Sequence, residues 1–207
     1  MNLRRKTLAS LPVFLLLAAC SEEPKPGAAQ KEPEKPAEAV SSQFGFQQMY
    51  ITARAWAPDA QPLRLGDLDL NEVKSQAGKA GAWQCTFVSE RNRMARTYTY
   101  SVVESGPSNI HKGVFGGPQE SWSGGGQAKP FPIQAFKVDA TTAYETAQKK
   151  SADYVKKHPD MRIKFLLEQT PRFPNPAWRV IWGESVGASN YSIFVDATTG
   201  DFLQIAH

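Results

Sequence analysis

The stretch Tyr191-Ser192-Ile193-Phe194-Val195-Asp196-Ala197-Thr198-Thr199-Gly200 decides the fold. Tyr191, Ile193 and Val195 alternate with smaller or polar positions, the period of a strand with one face in a core. Asp196 to Gly200 then reads as a tight turn. Its carboxylate accepts bonds from its own backbone, and Gly200 supplies the positive φ a hairpin needs. Phe202-Leu203-Gln204-Ile205 resumes a strand. Working backward, Trp178, Val180 and Trp182 share a face, as do Ile163, Phe165 and Leu167. A helix precedes them: Ala143, Tyr144, Ala147, Ser151, Tyr154 and Val155 recur on one side. Asp139 and Thr142 compete as its N-cap, Thr142 with Glu145 forming a capping box. Lys149, Lys150, Lys156, Lys157 and His158 suit its C-terminal dipole, and Pro159 closes it. Ile133 to Val138 reads as an extra strand leading in.

The first half follows the same order. Ser42 caps a helix carrying Phe46, Met49, Tyr50, Ala53, Trp56 and Ala57, which Pro58 ends. Leu63 and Leu65 begin a strand. Trp83, Cys85 and Phe87 match Trp178, Val180 and Trp182 at an offset of 95. Tyr98, Tyr100 and Val102 match Tyr191, Ile193 and Val195 at an offset of 93, a difference assigned to unequal turns. Helix followed by an antiparallel meander, twice, is an α+β plan. The expected organisation is a first unit over 42–121, a Gly-rich linker over 122–132 and a second unit over 133–207.

The second half, over residues 133–207, resembles PepSY domains through Asp139 and Ala143, through Pro176-x-Trp178-x-Val180, and through the Tyr191 to Gly200 motif. That resemblance implies a small extracytoplasmic α+β module of a kind found in protease propeptides and cell-envelope proteins. The first half has Val103-Glu104-Ser105-Gly106-Pro107 where the turn motif would fall. It fits a divergent PepSY-like unit or another cystatin-like unit.

The N-terminus sets the compartment. Arg4, Arg5 and Lys6 precede the apolar run Leu11 to Ala19, a secretory signal over 1–19. Its end, Leu17-Ala18-Ala19-Cys20, resembles the bacterial lipobox, which implies lipidation of Cys20. Ser21 in place of Asp implies sorting to a Gram-negative outer membrane. Residues 20–41 then read as a lipidated, disordered Pro/Glu/Lys/Ala tether. The chain's formal charge of +4 loses three units with the signal, leaving +1. A nucleic-acid footprint is excluded, and no other segment has the ~20 apolar residues of a membrane helix. With Cys20 lipidated, Cys85 has no disulfide partner. Between Trp83 and Phe87 it reads as a small buried hydrophobe.

No catalytic, metal or cofactor set emerges. His111, His158 and His207 lack zinc-ligand spacing. Ser189 fails the GxSxG pattern, and Gly124-Gly125-Gly126 lacks the GK[ST] of a phosphate loop. Asp196 is a turn former or, alternatively, a ligand-contacting carboxylate. Trp122 is either a lid over the sheet or an exposed anchor for a partner. The runs Arg91 to Arg96 and Lys149 to Lys157 read as solvated faces. The expectation is a non-enzymatic, lipid-anchored periplasmic module that binds a protein or peptide and can modulate a protease. The alternatives are a structural lipoprotein docking through sheet edges or Trp122, and a hydrolase with a site near His111, its Ile110-His111-Lys112-Gly113 read as strand.

Overall fold

The computed structural model describes residues 36–189 and 191–206. The lipobox, Cys20 and residues 20–35 of the tether lie outside them. Along the chain run β1 (Val40–Ser41), α1 (Ser42–Trp56), β2 (Gln61–Leu68), β3 (Lys79–Ala80), β4 (Ala82–Ser89), β5 (Met94–Ser101) and β6 (Gly113–Ser121). Then follow α2 (Ala140–Lys150), α3 (Ala152–Lys157), β7 (Ile163–Glu168), β8 (Ala177–Trp182), β9 (Tyr191–Asp196) and β10 (Phe202–Ala206). The α+β expectation holds. β1 pairs with β3, and the other strands form one antiparallel eight-stranded sheet, β10-β9-β8-β7-β2-β4-β5-β6.

Strand pairing sets one side chain from every strand in a row across the core face. It runs Phe202, Val195, Trp178, Leu167, Leu65, Cys85, Tyr98, Gly116. Both helices pack on this face, α1 over β4, β5 and β6, α2 over β8, β9 and β10. Trp83, Trp178 and Leu65 are fully buried there, and Phe136 meets Phe46 and Trp178 edge-on at 5.3 and 5.7 Å. A β-carbon on Gly45 would stand 2.7 Å from the Trp83 ring, so this helical glycine lets α1 lie against the indole. The segment 122–132 is not free of the body: Lys129 N–H donates to Gln169 O, and Phe131 is buried.

Several local expectations need correction. Ser41, not Ser42, caps α1, accepting the Phe44 N–H at 3.3 Å. Asp139 caps α2, and Thr142 lies inside the helix. The single second helix is two, α2 and α3. At the break, Ser151 Oγ donates to Ala147 O at 2.5 Å, a bond to the carbonyl one turn back that competes with the helical ladder. Residues 133–135 form a 3-10 turn rather than a strand, and Ile110 to Lys112 lie in a loop before β6. A bulge between Pro62 and Arg64 removes Leu63 from the face of Leu65. Val40 and Ser41, assigned to the tether, pair with Ala80 and Lys79.

The offset of 93 is also wrong. Trp83 stands opposite Tyr100, and Trp178 opposite Val195. Tyr100 therefore takes the place of Val195, at the same offset of 95 as the preceding strand. Offsets of 93 and 95 put the same residues on the core face, so alternation cannot separate them, and only pairing can.

Candidate functional site

The face opposite the helices carries its own eight-strand row: Gln204, Phe194, Arg179, Leu166, Gly66, Gln84, Thr99, Phe115. No helix of the described residues packs on it. Its polar side chains pair across strands, Thr86 with Thr97 at 2.9 Å and Gln84 with Thr99 at 3.3 Å. Phe115, on edge strand β6, is 51% exposed.

At the middle of this face lies the seam between β2 and β7. Only three residue pairs join the strands: Arg64 with Glu168, Leu65 with Leu167, Gly66 with Leu166. The ladder is continued by a side chain, because the Phe165 N–H donates to Asp67 Oδ1 at 2.7 Å. The other Asp67 oxygen lies 3.2 Å from Lys164 Nζ, an ion-pair distance outside hydrogen-bond geometry. Lys164 also donates to Asp69 at 2.9 Å. Arg162 lies 3.4 Å from Asp69 and 2.5 Å from Glu184. Charges of alternating sign thus run Asp67, Lys164, Asp69, Arg162, Glu184. The Asp67 side chain is fully buried and that of Lys164 is 17% exposed. Burial pushes the Asp67 carboxyl above its ordinary range, opposed by the Lys164 ammonium and the Phe165 N–H.

Beside this network the open face sinks into a depression of about 260 Å³. Gly66, Leu68, Leu166, Ile181 and Val186 give it apolar walls, with Arg64, Lys164 and Glu184 around the rim. A volume of that size holds one large apolar side chain. A second, more polar groove of about 440 Å³ lies on the other side of the charge network, between Asp69 to Ala77 and Pro159 to Ile163.

The residues singled out from sequence do not gather at either cavity. Trp122 is half-buried and its backbone N–H donates to Arg93 O at 2.9 Å. His111 pairs with Glu104 at 2.7 Å on the surface, with both side chains more than half exposed. Asp196 serves its turn: Oδ1 accepts from Thr198 and Thr199 N–H at 2.7 and 3.0 Å, and Oδ2 from Asn175 Nδ2 at 3.0 Å. Gly200 has φ +84°. Cys85 is buried, and burial pushes its thiol well above the ordinary value. Among the described residues, no His, Cys, Asp or Glu group is arranged to hold a metal. None of the described helices is long and apolar enough to cross a membrane.

Sequence reasoning missed the seam residues. Asp67 near the end of β2 and Asp69 just past it stand two apart, as do Arg162 just ahead of β7 and Lys164 within it, the one available signal. It carries meaning only once β2 and β7 are known to pair.

No protein-family model matches the chain, and no curated protein matches its sequence. Among solved structures, the fold is similar to that of a "putative lipoprotein" from Clostridium difficile 630. The TM-score is 0.50 at 13% identity, covering 78% of this chain and 91% of that one. At that identity the likeness concerns fold.

Proposed function

We propose that the chain is a non-enzymatic, lipid-anchored binding module on the periplasmic side of a Gram-negative outer membrane, taking a protein or peptide partner on the open face of its sheet. The observation that carries this reading is the helix-free face, with an apolar depression at the seam where both halves contribute walls. One-sided sheets normally turn a polar face to water. This one interrupts its Thr and Gln rows with a hollow framed by Leu166, Ile181 and Val186. The lipobox ending at Cys20 supports the anchor, and the designation of the structural neighbour points the same way. The PepSY resemblance makes a protease one class of partner.

A photo-crosslinking residue placed at Gln84 on the open face, or at Ile51 on α1 where the side chain is 62% exposed, tests the reading in intact cells. A discrete adduct from Gln84 and none from Ile51 is expected. The reverse pattern would put the partner on the helix layer and end this assignment. The structural-lipoprotein alternative draws on the exposed Phe115 of edge strand β6, and predicts an adduct at Phe115 alone.

A further inference from the structure

Two cations on the open face are held by neutral groups alone. Arg172 donates from Nε to Gln204 Oε1 at 3.0 Å, and its guanidinium carbon lies 4.6 Å from the Phe194 ring centroid. Arg179 donates from Nε to Ser192 Oγ at 2.9 Å and lies 5.4 Å from the same centroid. Arg172 is therefore fixed by one bond and two rings, the second being Phe173 at 5.5 Å, and Arg179 by one bond and one ring, and neither has a carboxylate at ion-pair distance among the described residues. Glu168, the acid whose field reaches Arg179, is engaged by Arg64 at 3.0 Å. Burial also disfavours charge on Arg179, and the Arg172 charge adds to that cost. The neighbouring network from Asp67 to Glu184 differs, because its charges compensate one another. Arg172 and Arg179 are therefore the pair on this face with guanidinium ends open to an anion from outside.

Arg179 stands directly opposite Leu166, which lines the seam depression. Adjacent strands are ~4.8 Å apart, so Arg179 stands one strand from the depression, while Arg172, held at Gln204 on β10 and Phe194 on β9, lies two to three strands, on the order of 10–14 Å, from Leu166. An extended peptide rises ~3.3 Å per residue and turns every second side chain to the same side, which separates residues i and i+2 by about 6–7 Å and i and i+4 by about 13 Å. A planar guanidinium fork suits a carboxylate.

Resting on the open-face reading above, we infer that the partner presents an extended acidic segment. One apolar side chain fills the seam depression, and an Asp or Glu two to four residues away pairs with Arg179 and Arg172. The charge complementarity of the pair selects an acidic peptide over a neutral one.

The test pans a displayed library of random nonapeptides against the immobilised full-length chain, then measures synthetic copies of the enriched peptides. The expected enrichment is Leu, Ile, Val or Phe with Asp or Glu at a spacing of two to four. Replacing that acid by its amide should weaken binding about tenfold, the scale of a charge-assisted bond. Arg172→Gln with Arg179→Gln should lose the same factor, with an unchanged melting curve. Lys149→Gln with Lys150→Gln should change nothing. Arg179→Lys keeps the charge without the fork and should fall between. Apolar enrichment that ignores acids and both arginine variants would overturn the inference while leaving the open face as the binding surface. Enriched peptides indifferent to Leu166→Asp as well would remove both. Vesicles of phosphatidylcholine with phosphatidylglycerol, bound through these arginines in the absence of any acidic peptide, would assign the pair to lipid headgroups and overturn the inference too.

Discussion

The indole N–H of Trp83 donates to the carbonyl of Val40 at 3.0 Å, and that of Trp178 donates to the carbonyl of Val138 at 2.7 Å. In each case the acceptor is the residue just before a helix N-cap, Ser41 for α1 and Asp139 for α2. The two rings meet edge-on, 6.4 Å between centroids. Each tryptophan thus fixes the entry of one helix onto its own half of the sheet, and their contact joins the halves beneath.

Trp83→Ala and Trp178→Ala should each cost about 3–5 kcal/mol, the range for deleting a large buried aromatic. Phe at either position restores most of the packing but not the donor. It should leave a residual loss of about 1–3 kcal/mol for the carbonyl left without its partner. Denaturant melts of the four variants measure this. Losses below ~1 kcal/mol for both alanines would contradict the burial of the rings.

The helix entries are also tied through Asp139. Its Oδ1 accepts from Thr141 N–H at 3.0 Å, and its Oδ2 accepts from Ser42 Oγ at 3.0 Å and Gln43 N–H at 2.9 Å. One carboxylate therefore caps α2 and closes the first turn of α1. Asp139→Ala should exceed the ~1 kcal/mol typical of a lost cap and reach about 2 kcal/mol or more. Ser41→Ala, which frees only the Phe44 N–H, should stay near ~1 kcal/mol. Equal losses at the two sites would show that the bridge between helices contributes nothing.

The seam makes stability depend on pH in a stated direction. The Asp67 carboxyl is raised in the folded chain, so the folded state holds its proton more tightly than the unfolded one. Its contribution is complete below the unfolded value and is lost as pH rises through the folded one. At neutral pH the buried carboxylate relies on Lys164. Lys164→Met should cost about 3 kcal/mol there, the lower end for breaking a buried pair, since Lys164 retains some exposure. The gap in melting temperature between wild type and variant should narrow on acidification. Adding Asp67→Asn, which keeps an oxygen for the Phe165 N–H, should flatten that pH dependence. A gap that widens toward acid would be incompatible with a raised Asp67.

Asp196→Asn keeps an acceptor for Thr198 and Thr199, and Asn175 can turn its amide to meet the new nitrogen. Stability should fall by less than ~1 kcal/mol. Gly200→Val places a β-branched side chain at φ +84° and should cost more. Partner binding should track stability in both variants. Lost binding with an intact melt in Asp196→Asn would make this turn a contact site instead.

Cys20→Ser should abolish lipidation and lipoprotein-specific cleavage of the signal. Mass spectrometry of the membrane fraction decides this, and the wild-type acyl mass on the variant would refute the lipobox reading.

The strands of the second half were legible because Trp178, Val180, Trp182, Tyr191, Ile193 and Val195 combine a strict period of two with bulk. β6 was not, because Gly113, Gly116, Gly117 and Pro118 carry none of the pattern that marks a strand; it forms because β5 offers its ladder. The break at Ser151 was hidden by helical spacing that continues through Tyr154 and Val155, a competition between side chain and backbone that periodicity does not register. The seam was out of reach for a different reason. Asp67 and Lys164 are 97 positions apart, and nothing local states that β2 and β7 are neighbours. Arg179 and Phe194 share a face only through the β8–β9 pairing, and Arg172 joins them from a loop through Gln204, a placement no local spacing states.

The placement of β1 bears on how the body would respond to being pulled. Tension arriving through the chain ahead of Val40 bears on Val40 and Ser41, a two-residue ladder with β3 backed by the Trp83 indole. From Ser42 the load passes through Asp139 into α2, so it divides between the two halves near the middle of the molecule instead of peeling an edge strand. The first bonds to yield would be the short β1 ladder and the indole clasp. Their rupture lengthens the leading segment by a few residues while the eight-stranded sheet stays shut, a mechanical fuse ahead of the folded body.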